Sequence, residues 1–324
     1  MNKFKQLLIA LAITLFAPLP LALAQMALPT KQLTIITSFP VGSGPDSLIR
    51  KTLPELSKQF QVPVIVENKP GANGSVAYDA CNKAVNTPQN YYICYSEAGT
   101  VWAYPFIYGN DKLVKNLKPI VPSHQADMVL VTSPTVKTVD ELKAAIKKSP
   151  NFGSWTIGSQ SQVMALQVTD FLKMPSEHIP YKDYAQWLID VSTGRVAFSF
   201  ATLGSSQPLM LQGKLKYLAI ATPKRDPHYP DVPTVNEFFG PKFKFQPMSA
   251  FATFYVKEDG SLLDETIVRN GLRAVFNSPE YKADLAARGY RPWAYNDRDT
   301  EEAIKQNHAN YDRMIKEYKI DMRQ

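Results

Sequence analysis

The sequence predicts an α/β protein built as two α/β lobes around one ligand cleft. Three observations predict it. Short β-branched runs alternate with helical patterns along most of the chain, the rhythm of parallel sheets joined by crossover helices. Loops with glycine or hydroxyl residues recur at the carboxyl ends of those runs, where open α/β sheets bind their ligands. The alternation also starts afresh near Thr138, in a chain of 324 residues whose 45% hydrophobic and 20% charged composition can fill two cores.

The first 24 residues stand outside this scheme. Lys3 and Lys5 precede an apolar run from Leu7 to Leu23, and Ala22-Leu23-Ala24 fits a small-residue cleavage site, so the segment reads as a secretory signal peptide. Pro18 and Pro20 interrupt the run, and no later stretch reaches the ~20 apolar residues of a membrane span. Its removal lowers the formal charge from +7 to +5. The remaining Lys and Arg are scattered among acids, a pattern that suits a small anion or a solvated surface and excludes a nucleic-acid stripe.

The first unit organises the rest. Leu33 to Thr37 is a β-branched strand, and it breaks into Phe39-Pro40-Val41-Gly42-Ser43-Gly44-Pro45 before an amphipathic helix that begins near Asp46. Pro45 suits the first turn, Asp46-Ser47 can cap it, and the free N–H groups of a helix start attract anions. An ordinary βα turn without a ligand is the alternative. Val62 to Glu67 then gives a second strand, the loop from Asn68 to Ser75 feeds a helix over 76–85, and Tyr91 to Tyr95 gives a third strand ending in Ser96-Glu97-Ala98-Gly99-Thr100. Cys81 and Cys94 are the only cysteines, and in an exported chain a disulfide is favoured over two buried thiols.

Strands at 118–122 and 127–132 flank His124-Gln125-Ala126, where the chain is expected to cross first between lobes. A helix from Val139, a strand Trp155-Thr156-Ile157, the loop Gly158-Ser159-Gln160-Ser161-Gln162 and a helix through about Lys173 follow. Ile179 to Asp183 leads to a helix over 184–192, Arg195 to Phe200 reads as a strand ending at Ala201-Thr202, and Lys216 to Ile220 reads as another. The segment 223–247 is proline-rich and reads as irregular. Ala250 to Val256 is expected to return the chain to the first lobe, with helices over 263–277, 279–288 and 299–319 capping that lobe. The expected division is therefore 25–125 plus 247–324 for one lobe and 126–246 for the other, with crossings near 125 and 247.

Catalytic patterns are missing. His124, His178, His228 and His308 are isolated, no pair has metal-ligand spacing, and there is no GxSxG elbow, P-loop or dinucleotide fingerprint, so neither a metal nor a cofactor is expected. Asp46, Glu67 and Glu97 lie near strand ends, but a helix cap and an exposed ion pair account for the first two. An exported α/β hydrolase using Asp46 or Ser159 is the competing function. Phe39, Tyr95, Trp102, Tyr104, Tyr181 and Tyr184 are placed around the cleft, where rings can hold an apolar ligand body or simply fill cores.

The ordered set Gln32–Ile36, Phe39–Asp46, Val64–Gly74, Ile179–Lys182, Gly213–Ile220 and Pro230–Glu237 resembles the Bug family, the extracytoplasmic solute-binding proteins of tripartite tricarboxylate transporters. The resemblance covers nearly the whole mature chain. It implies a type II periplasmic-binding-protein fold, monomeric and periplasmic, that closes on a small organic carboxylate and delivers it to a membrane permease; a receptor feeding a sensor protein is the variant. Carried over by position, Phe39, Val41, Gly42, Ser43, Gly44 and Asp46 from one lobe and Gly158, Ser159 and Ser161 from the other are expected to grip the ligand. Ala72, Asn73, Gly74, Ser96, Tyr181 and Thr202 are expected to line the remaining wall. The chain departs from the family in its Val41–Pro45 run, in a shorter second loop without the usual following His, and in Asp183, which stands where glycine is common.

Overall fold

The computed structural model describes residues 27–109, 111–248, 250–258, 264–293 and 297–320. The signal-peptide reading lies outside them.

The first unit forms as its pattern requires. Strand β1 (Leu33–Thr37) is buried along its whole length. Helix α1 (Gly44–Phe60) starts after Ser43 with Pro45 in its first turn, and buries Leu48, Ile49, Leu56 and Phe60 on one face. Strand β2 (Val64–Asn68) leads through a single 3-10 turn (Ala72–Gly74) into α2 (Ser75–Lys83). Strand β3 (Tyr91–Glu97) runs straight into α3 (Ala98–Tyr108), a helix where an open loop is expected. That helix is apolar on all sides and contains Pro105, so it has no amphipathic period to read; the Glu97 carboxylate caps it by accepting from the Thr100 amide. Cys81 on α2 and Cys94 on β3 form the favoured disulfide.

Strand β4 (Leu117–Ala126) ends one sheet and β5 (Met128–Thr132) begins another. Helix α4 (Val139–Lys148) carries a full capping box between Thr138 and Glu141. Strand β6 occupies Asn151–Ser154, not the 155–157 expected. Gly153 is the reason: a Cβ there would lie 2.6 Å from the Trp187 indole nitrogen, so the strand sits where that ring can press on bare backbone. Helix α5 (Gln160–Leu172), strand β7 (Glu177–Pro180) and helix α6 (Tyr184–Ser192) follow. Strand β8 is Ser199–Thr202 rather than 195–200, because the Val196 amide bonds the Asp190 carbonyl and the Ala197 amide bonds the Asn151 side chain instead of a ladder. Helix α7 (Leu203–Leu211) and strand β9 (Lys216–Ile220) complete the unit, and the proline-rich segment contains one short capped helix, α8 (Val235–Phe239).

Strand β10 (Ala250–Lys257) returns to the first sheet, followed by α9 (Glu265–Phe276), α10 (Pro279–Ala287) and α11 (Asp297–Glu317). The first sheet has the order β2-β1-β3-β10-β4, with β1 parallel to β2 and β3 and with β10 antiparallel to its neighbours. The second has the order β7-β6-β8-β5-β9. Each sheet carries its own hydrophobic core. Helix α9 packs on α1, with Gly271 against the Phe60 ring. The last helix corrects the expectation that all three cap the first lobe: Tyr311, Met314 and Ile315 of α11 belong to the second core with Val163, Met164 and Val168.

Candidate functional site

The two sheets present their helix starts to one cleft of about 1800 Å³. N-cap or first-turn residues of α1, α2, α3, α5, α6 and α7 all line it. Phe39, Val41, Gly42, Ser43, Gly44, Ala72, Asn73 and Gly74 meet there with Gly158, Ser159, Ser161, Tyr181 and Thr202. Asp46 and Ser96 are placed behind that wall. The Ser96 hydroxyl bonds those of Ser38 (2.7 Å) and Tyr78 (3.0 Å), so it braces the loops and does not face the cleft.

The first loop is held from behind. Gly42 has φ +78°, a left-handed turn that favours glycine, and its amide donates to the buried Asp46 carboxylate at 2.8 Å. Asp46 also accepts from Arg50 Nε (3.0 Å) and Asn68 Nδ2 (2.7 Å), while Asn68 reaches the Phe39 carbonyl (2.9 Å). Burial pushes the Asp46 carboxyl up, but the bonds from Asn68, Gly42 and Arg50 outweigh it and leave it below its ordinary value. The Ser43 hydroxyl is buried with no partner among the described residues.

In the second lobe, Ser159 caps α5 and donates to the Thr156 carbonyl (2.7 Å), and Gln162 accepts from the Gly158 amide (2.6 Å). Ser161 bonds Ser159 (2.9 Å) and accepts from the Trp155 amide (3.3 Å). Among the described residues the bonds of these hydroxyls go to Thr156, to each other and to the Trp155 and Gln162 amides, not to a histidine or carboxylate that could act as a base. Asp183, the departure from the family pattern, is the N-cap of α6 and accepts from the Gln186 amide at 2.8 Å. Lys182 beside it stands exposed on the cleft wall.

Among the described residues, hydrogen bonds cross the cleft. Thr156 donates to the Asn73 side chain at 2.7 Å, and Gln160 Nε2 donates to Glu97 Oε1 at 3.0 Å. Gln160 lies directly on Gly99, where any side chain would overlap its amide. Burial raises the Glu97 carboxyl above its ordinary value despite bonds from Gly99, Gln160 and Thr100.

Aromatic rings form much of the wall. Trp155 and Tyr184 lie 5.5 Å apart, Tyr184 and Trp187 lie 4.7 Å apart, and Phe39 leans on Tyr95 at 5.3 Å. Of the rings expected there, Phe39, Tyr181 and Tyr184 line the cleft, Tyr95 and Tyr104 are core, and the Trp102 side chain lies outside the described residues. The Tyr181 hydroxyl is spent on Asp190 (2.8 Å). Trp155, Phe251, Tyr290 and Tyr311 line the cleft although no sequence signal marks them as site residues, and so do His124 and His178, which the sequence shows only as isolated histidines. They come from strands, links and the last helix, none of which carries a motif, and only folding brings them together. Burial pushes His124 down to about 3 and His178 to about 4, so both rings are neutral near pH 7. Among the described residues no three His, Cys, Asp or Glu side chains are grouped to hold a metal.

A sequence profile described as tripartite tricarboxylate transporter family receptor matches residues 48–320. The chain is 27% identical over 232 residues to Protein BugT of Bordetella pertussis, covering 68% of this chain and 70% of that protein. Its fold is similar to R. palustris Rpa4515 with adipate (TM-score 0.75, 21% identity, 89% of this chain and 97% of that one). It is also similar to MatC from Rhodopseudomonas palustris with bound malate (TM-score 0.73, 19% identity, 89% and 100%).

Proposed function

Since the chain belongs to the tripartite tricarboxylate transporter receptor family, we propose that it is exported to the periplasm, captures a small organic carboxylate between its lobes and presents it to a tripartite-type permease. The observation that carries this reading is the convergence of helix starts from both lobes on one cleft. Each start supplies free N–H donors and partial positive charge, so a carboxylate can be held there without a full countercharge. The Phe39–Gly44 loop and the Gly158–Ser161 loop are the gripping pair, and Asn73 and Thr202 complete the wall.

The cleft's size adds a step. Sites that enclose drug-sized ligands measure roughly 300–1,000 Å³, and this one is about 1800 Å³. A small acid fills it only with ordered water or after the lobes close, and closing brings the second-lobe donors onto an acid first held by the Gly42 loop. The aromatic wall gives room for an apolar body on the acid. The protein works as a monomer, one cleft to a chain.

The test is a thermal-shift titration of the mature protein with adipate, malate and benzoate. A ligand that binds only the folded state adds about 2.7 kcal/mol at a hundredfold excess over its Kd, so the melting temperature must climb with concentration. A flat response to all three, and to a wider panel of aliphatic and aromatic acids, removes the reading. Turnover of any of them, abolished by Ser159→Ala, replaces it with the hydrolase.

A further inference from the structure

Resting on the carboxylate-receptor reading, we propose that Tyr290 contacts the ligand: its hydroxyl donates to the captured carboxylate beside the first turn of α1. Tyr290 lies in the link after α10, far in sequence from either gripping loop. The link is clamped where the chain crosses between sheets. Gln125 and Arg291 exchange both backbone hydrogen bonds at 2.9 Å, and the Arg291 guanidinium pairs with Asp127, the residue between β4 and β5.

This clamp sets the ring in a narrow place. Its edge meets His124 with centroids 4.7 Å apart, and the residue is only 8% exposed while still lining the cleft. Two glycines make room for it, one from each lobe. A Cβ on Gly204, in the first turn of α7, would lie 3.0 Å from the ring, and a Cβ on Gly44, in the first turn of α1, would overlap the hydroxyl. Tyr290 therefore stands between two helix starts, with its hydroxyl on the α1 side.

That hydroxyl has no partner among the described residues. Hydroxyls on buried tyrosine rings are ordinarily paired, and the Ser43 hydroxyl, next in the chain to Gly44 and on the same cleft wall, is fully enclosed and unpaired among the described residues. Two idle donors next to the free amides of a helix start are what an incoming carboxylate oxygen would satisfy. Burial pushes the Tyr290 hydroxyl up to about 12, so it keeps its proton across the working pH range. Because the ring rests on both lobes, the same contact ties occupancy of the Gly42 loop to the position of α7.

The experiment compares wild type with Tyr290→Phe, which keeps the ring and removes only the hydroxyl. Calorimetric Kd values are measured for those of adipate, malate and benzoate that bind wild type, and for benzamide and adipamide as neutral counterparts. A hydrogen bond to a charged group predicts about a tenfold or greater loss for the carboxylates, a smaller loss for the amides, and an unchanged melting temperature without ligand. Gly44→Ala displaces the hydroxyl by overlap and should weaken binding in wild type but add little in the Tyr290→Phe background. Equal Kd values in wild type and Tyr290→Phe overturn the assignment and leave the receptor reading standing. Equal losses for acid and amide also overturn it, since they report a structural role. If wild type binds neither these three acids nor any of the wider panel of aliphatic and aromatic acids, both readings fall.

Discussion

At the start of α1 one buried carboxylate decides the shape of a loop that lines the cleft. Asp46 takes bonds from Gly42, Arg50 and Asn68, and the sum of these exceeds the cost of burying it, since its carboxyl titrates below the ordinary value of 3.8. The linkage has a definite sign: the stabilisation is complete above the unfolded value and is lost as the pH falls through the lower folded one. Asp46→Asn keeps the size and one acceptor but loses the charge. It is expected to cost about 1–3 kcal/mol at neutral pH, the price of disturbing a buried charged network. The variant should also lose less stability than wild type on acidification below 3.8. Urea unfolding of both proteins across that range checks this, and parallel pH slopes would refute it. The identity of Asp46 as an acidic residue near a helix start is visible in the chain. Its partner Asn68, 22 positions away at the end of β2, is not, because nothing local marks which side chain will cross from the next strand.

At the scale of elements, the disulfide ties the helix and the strand that carry one wall of the cleft. Cys81 lies on α2, which follows Asn73 and Gly74, and Cys94 lies on β3, which ends at Glu97. A bridge over 13 residues stabilises by roughly 3 kcal/mol in the chain-entropy account. Reducing it, or replacing both cysteines with serine, is expected to lower unfolding free energy by about 2–4 kcal/mol and to weaken carboxylate binding, since Asn73 and Glu97 both contact the opposite lobe. Denaturant titrations with and without reductant decide the point; an unchanged midpoint would count against it. The pairing was readable from export and cysteine count alone. The helix that follows Glu97 was not, because a segment apolar on every side gives no period to distinguish it from a buried strand or loop.

For the whole molecule, the proposed closure starts from hydrogen bonds that already cross the cleft. Among the described residues, Asn73 with Thr156 and Glu97 with Gln160 bond across the cleft, and Gln160 can lie so close only because residue 99 is glycine. Gly99→Ala puts a methyl group where the Gln160 amide lies. Scattering should then show a larger radius of gyration for the ligand-free variant, with weaker carboxylate binding and little change in thermal stability. A radius equal to that of wild type would mean these bonds do not hold the lobes. Closure driven by a ligand needs only that the acid prefer the closed arrangement by more than these bonds and the freed water differ between states.

By itself the sequence determined the α/β class, the restart of the pattern in mid-chain, the helix starts behind the Gly42 and Gly158 loops, and the family. Each of these is written in local period, caps and turn residues, and needs no knowledge of what lies opposite. Tertiary structure alone decided that Asp46 turns away from the cleft, that β6 shifts to let Trp187 press on Gly153, that α11 joins the second core, and that Tyr290 stands between two helix starts. Those outcomes depend on which distant surfaces meet, and packing between surfaces far apart in the chain is a property that no window of residues contains.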